Sequence, residues 1–138
     1  MALALYSVVR RHMKHTGRYF EPGGEPRSPK LPGLGPGESL IGWYENPDPW
    51  AHSIIVFTDQ AIHSVEGEQI VRIATTDIVG HESPQSKSDV TGVRVRTRDG
   101  FRFLRAAGSF GPHGKYKDAF SLIMVLRVLA AQQKDPAG

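Results

Sequence analysis

The feature that most limits this fold is the run Glu21–Gly37 (EPGGEPRSPKLPGLGPG), where five prolines and five glycines fall close together. Proline lacks the amide donor and clashes with a preceding helical turn, and glycine loses the most backbone freedom on ordering. The run therefore forms neither helix nor central strand. It divides the 138-residue chain into an N-terminal segment (1–20), a linker (21–37), one domain-sized body (38–133) and a short tail (134–138) expected to be disordered.

Within the body, short β-branched and aromatic runs alternate with turn residues. Ser39–Glu45 ends at Asn46-Pro47-Asp48-Pro49. His52–Thr58 turns at Asp59-Gln60 into Ala61–Val65, and Glu66-Gly67-Glu68 leads to Gln69–Ala74. A short strand, Ile78–His81, precedes the polar stretch Glu82–Asp89, and Val90–Thr97 with Phe101–Arg105 make a last hairpin. About seven strands at this spacing predict a mainly β sandwich or barrel. A three-residue loop at Arg98-Asp99-Gly100 with a G1 bulge would bury Val93, Val95, Thr97, Phe101 and Phe103 on one face. Arg94, Arg96 and Arg102 would then share the other.

After the glycine-rich Ala106–Gly114, the spacing predicts a helix over Lys115–Gln133 with a core stripe of Ala119, Leu122, Ile123, Leu126, Leu129 and Ala130. Met124, Val125 and Val128 lie off that stripe, so the helix carries more apolar surface than one small core needs. Its expected cover is the N-terminal helix or another subunit. That first helix, Leu3–His15, places Leu5, Val9 and Met13 on one face. It is either a peripheral helix docked on the domain or a frayed tail, so that deleting residues 1–30 leaves a folded domain, or a basic amphipathic segment presenting Arg10, Arg11, Lys14 and Arg18 to anionic lipid.

Charge narrows the partners. Residues 1–30 carry a net +4 and the remainder −1, so the body lacks the basic excess expected of a nucleic-acid binder. The absence of cysteine excludes disulfides and thiolate zinc sites, and fits a reducing, cytoplasmic compartment. No segment approaches the roughly 20 apolar residues of a membrane helix. Arg10-Arg11 follow the apolar Ala2–Val9 instead of preceding it, opposite to a secretory signal.

Glu38-Ser39-Leu40-Ile41, the hairpin Ile55-Val56-Phe57-Thr58-Asp59-Gln60-Ala61-Ile62, the step Thr76-Asp77-Ile78, the Asp99-Gly100 turn and the closing helix together resemble bacterial pleckstrin-homology-like and GRAM-like domains. The resemblance covers residues 38–131. It implies two packed antiparallel sheets closed by one helix, and a role in binding protein, peptide or lipid. Lipid-binding members place basic residues between strands one and two. Here Asn46–Ala51 holds an acid and no Lys or Arg, which argues against phosphoinositide at that site.

The chemistry-bearing residues point to binding. The six histidines form no tight ligand set, and scattered surface positions are expected for His52 and His63. Ser109–Lys115 lacks the first glycine and the final Ser/Thr of a phosphate loop. No Ser/His/Asp set or carboxylate pair stands out, so neither an enzyme nor a cofactor is expected; the alternative is an enzyme with an unrecognised site. The leading expectation is a protein-interaction module, acting as adaptor, accessory or immunity-like protein. Its candidate contacts are Val125, Val128, Arg94, Arg96, Arg102, Trp50, His113 and Lys115, beside an open edge at Ile78–His81. Self-association is the other use of such a surface, and a membrane surface the less favoured partner.

Overall fold

The computed structural model describes residues 2–16, 18–22, 34–46, 50, 52–82, 92–107 and 112–133. It begins with α1 (Ala2–Met13), a short 3-10 turn and β1 (Tyr19–Phe20). The strands β2 (Leu40–Glu45), β3 (Ser53–Thr58), β4 (Ala61–Glu66), β5 (Gln69–Ala74), β6 (Ile78–Glu82), β7 (Gly92–Thr97) and β8 (Gly100–Arg105) follow, and α2 (Pro112–Gln133) closes the chain. Two antiparallel sheets result, one in the order β1-β2-β3-β4-β5 and one in the order β6-β7-β8. Among the described residues they are separate hydrogen-bonded units and do not close into one barrel. No described helix is long and apolar enough to cross a membrane.

The unbroken apolar run Ile54–Phe57 reflects a strand covered on both faces. Every residue of β3 is buried. Ile55 and Phe57 join Tyr44, Ile62, Val93, Val95, Leu104 and the α2 stripe in the main core. Ile54 and Val56 join Trp43 and Val65 in a second cluster on the opposite face, flanked by Phe20 and Leu40. Trp43 and Tyr44 therefore serve one core each.

The N-terminal helix belongs to the main core. Leu5, Val9 and Met13 are buried in the same cluster as Leu122, Val125 and Leu129. The surplus apolar surface of α2 is thus matched by α1. Thr16 closes α1 by donating its hydroxyl to the Met13 carbonyl at 2.8 Å. Past it, β1 pairs with β2, Tyr19 opposite Tyr44 and Phe20 opposite Trp43. Gly42 permits this approach, since a Cβ there would lie 2.3 Å from the Tyr19 hydroxyl. An independent body beginning near Glu38 is accordingly replaced by one whose core and sheet include residues before the proline run.

The last hairpin corrects the expected register. Thr97 pairs with Gly100 and Val95 with Arg102, leaving a two-residue turn at Arg98-Asp99. Phe103 stands opposite Arg94 and Phe101 opposite Arg96, so both rings share the exposed arginine face. Arg102 falls on the opposite side, beside Thr97 and Asp77. Leu104 fills the buried position instead. The rings are compensated by cations: the Arg94 guanidinium lies 4.4 Å from the Phe101 centroid and that of Arg105 5.4 Å from Phe103.

Candidate functional site

The most distinctive surface lies where β6 meets the C-terminal half of α2. β6 is the outer strand of its sheet, so one row of its backbone groups has no strand partner among the described residues. Ala130 and Ala131 carry only methyl groups and leave space against the strand. The result is a groove of about 380 Å³ lined by Val79, Gly80, His81, Arg96, Arg127 and these two alanines.

Its electrostatics are one-sided. Arg94, two residues before Arg96, is paired with Glu82 at 3.0 Å. Neither Arg96 nor Arg127 has an ion-pair partner among the described residues. A Cβ at Gly80 would lie 3.2 Å from Arg96 Nη2, so the guanidinium rests over this glycine. The buried His81 Nδ1 has no hydrogen-bond partner among the described residues. Two guanidinium groups without an ion pair among the described residues, beside an outer strand edge, suit an anionic side chain on an extended segment.

The other expected contacts disperse. Val125 is fully buried in the main core and offers no surface; Val128 is half-buried. Trp50 is half-buried, with the Arg105 guanidinium 3.9 Å from its ring centroid. Arg105 also reaches Glu66 at 3.4 Å, which makes this stack an internal tie. Arg102 lies across the hairpin, away from Arg94 and Arg96. The side chains of His113 and Lys115, at the start of α2, lie outside the described residues.

The lipid-facing set also changes character. Arg18 donates to the Glu45 carbonyl at 2.6 Å and to the Asn46 carbonyl at 3.3 Å. Arg10 approaches Glu21 at 3.7 Å. Arg11 and Lys14 are exposed, but the apolar stripe that would enter a bilayer is buried in the protein. An inserting amphipathic helix therefore lacks its apolar half.

Arg127 is the charged groove residue that sequence reasoning passed over, while His81 entered only as the end of the open strand edge. Arg127 had a signal, as the lone charge in Ala119–Ala131. Gly80 had another, since glycine inside a strand marks close approach by a neighbour.

A second polar constellation sits inside the five-stranded sheet's outer layer. Glu38 accepts from the Thr58 hydroxyl, from Gly35 N–H at 2.9 Å and from His63 Nε2 at 3.0 Å, with Arg72 at 3.7 Å. Burial pushes the Glu38 carboxyl upward, but these four groups outweigh it and hold it at about 2. His63, expected at the surface, is buried here to satisfy that carboxylate. Comparison with family models, curated proteins and solved structures finds no match.

Proposed function

We propose that this chain is a non-catalytic protein-interaction module of pleckstrin-homology-like architecture, acting in the cytoplasm. It receives an extended, anion-bearing segment in the groove between β6 and α2. The layout supports the architecture: a four-strand meander β2–β5, a three-strand meander β6–β8 and a terminal helix follow one another. The observation that carries the function is the pair of guanidinium groups, Arg96 and Arg127, that have no ion-pair partner among the described residues and lie beside the outer edge of β6. Strand addition would supply backbone affinity, and the arginines would select a carboxylate or phosphate. The acid–base groups of the interior are committed elsewhere, Glu38 to Thr58 and His63, Asp118 to Tyr44.

The test is an NMR titration of the full chain with extended peptides differing at one central residue, Ala, Glu or phosphoserine. Shifts at Val79–Glu82 and Arg127–Ala131 are expected, with affinity rising from Ala to Glu to phosphoserine. Arg96→Ala with Arg127→Ala removes charged hydrogen bonds worth about 1.5–3 kcal/mol each, a tenfold loss or more. Binding indifferent to the central residue, or shifts confined to other surfaces, would overturn the assignment.

A further inference from the structure

The five-stranded sheet ends in β5, an edge strand whose one charge is Arg72 and which has no proline or bulge. Among the described residues no strand lies beyond it. It is six residues long, contains no proline, and its pairing with β4 is unbroken from Ala61↔Ala74 to Glu66↔Gln69. Ile70 is 49% exposed and Val71 41% exposed, on opposite faces of the strand. Natural edges are blunted by charges, prolines, bulges or covering segments, and an open apolar edge is a template for another strand.

We infer that a second copy of this chain pairs with β5, antiparallel about a two-fold axis through Ile70, to form a homodimer with one continuous sheet. The sequence around Ile70 is self-complementary under that operation. Antiparallel pairing centred there sets Ile70 against the partner's Ile70 and Gln69 against the partner's Val71. It also brings Glu68, in the turn before β5, beside the partner's Arg72, and the symmetry makes that contact twice. A C2 interface needs such self-complementarity. A two-fold on Val71 would instead set Ile70 against the partner's Arg72 and lose the charge pairs. Glu68 is exposed and without an ion pair among the described residues. The Arg72 side chain is 44% exposed and only 3.7 Å from Glu38, so it keeps room for a second carboxylate. The short edge makes a small interface, so association should depend on protein concentration and weaken with salt.

The absence of cysteine makes a direct test available. Ile70→Cys introduces a single thiol on the two-fold axis, and mild oxidation should cross-link it to a covalent dimer. Tyr6→Cys, at an exposed position of α1, should cross-link far less. In sedimentation of the full chain, Glu68→Arg and Arg72→Glu should each raise the dimer dissociation constant about tenfold or more. The charge-swapped double variant should restore it. Restoration cannot come from the fold, because Arg72→Glu still faces Glu38 in the double variant. Should Arg72→Glu misfold, Glu68→Arg at the exposed turn and the cysteine pair still decide the matter. A chain that stays monomeric at all attainable concentrations, equal cross-linking of both thiols, or association unmoved by either reversal would overturn the inference. Groove variants at Arg96 and Arg127 should leave the dimer unchanged, so failure of one reading is distinguishable from failure of the other.

Discussion

At the residue scale, Glu38 shows how one buried charge organises its surroundings. Its carboxyl is held at about 2, below an ordinary value of 4.5, so the folded state binds its proton less readily than the unfolded chain. The stability this contributes is fully present above about pH 4.5 and is lost as pH falls toward 2. Urea midpoints measured from pH 6 down should fall across that window, and less steeply in Glu38→Gln. That variant replaces one acceptor oxygen by an NH₂ group, which then faces Gly35 N–H or the Thr58 and His63 donors. An orphaned buried donor costs about 1–3 kcal/mol, readable as a lower midpoint at pH 7. Gly100 carries a different constraint. Its φ of 141° lies where side-chain-bearing residues are strained, although nothing crowds its missing Cβ. Gly100→Val should therefore cost about 1–3 kcal/mol by chemical denaturation through backbone conformation alone.

At the element scale, α1 and β1 belong to the folding unit. Met13 is fully buried between α1 and the main core, and Met13→Ala should destabilise by about 2–5 kcal/mol in thermal or urea melts. Removing residues 1–30 takes away Leu5, Val9, Met13 and the β1 pairing together, and opens the main core that they share with α2. The truncated chain should lose its cooperative transition by circular dichroism or aggregate. A sharp melt near the full-length temperature would show that the helix is dispensable. The β7–β8 hairpin teaches the complementary lesson. Leu104 and Phe103 compete for the inward position; the leucine occupies it, and arginines lie over the rings on the other face.

At the scale of the whole molecule, two polar ties hold the layers together. Asn46, after β2, donates to the Ser53 carbonyl at 3.0 Å and to the Arg105 carbonyl at 2.9 Å. Its Oδ1 accepts from Ala107 N–H at 2.7 Å. One side chain thereby joins the five-stranded sheet to the segment that leaves β8 for α2. The Tyr44 hydroxyl donates to Asp118 and ties β2 directly to α2. Asn46→Ala takes this partner from the Arg105 carbonyl and the Ala107 N–H, at about 1–3 kcal/mol for each left unpaired, while the Ser53 carbonyl keeps the backbone N–H of residue 46. Hydrogen exchange should show the Ala107 amide losing protection before the β3 amides do. Equal protection in the variant would assign the junction's order to apolar packing instead.

Local pattern determined most of the elements. Period-two runs and turn residues placed β2 to β8, and the 3.6-residue stripe placed α2, because these signals depend on near neighbours in the chain. The inward or outward choice at Phe101 and Phe103 was not legible, since the sequence sets both phenylalanine and leucine as acceptable core residues and only the facing sheet selects one. The role of α1 was hidden for a related reason. An amphipathic stripe of Leu5, Val9 and Met13 is the same whether it meets a membrane, a partner or its own domain. The candidate groove was half visible, in Arg96 and the open strand edge. Arg127 joins it from a position 31 residues beyond Arg96, and such convergence exists only once the helix is seated on the sheet. Sequence thus determined which segments become strand and helix through local periodicity; tertiary structure decided which faces meet, because burial is settled by what lies opposite.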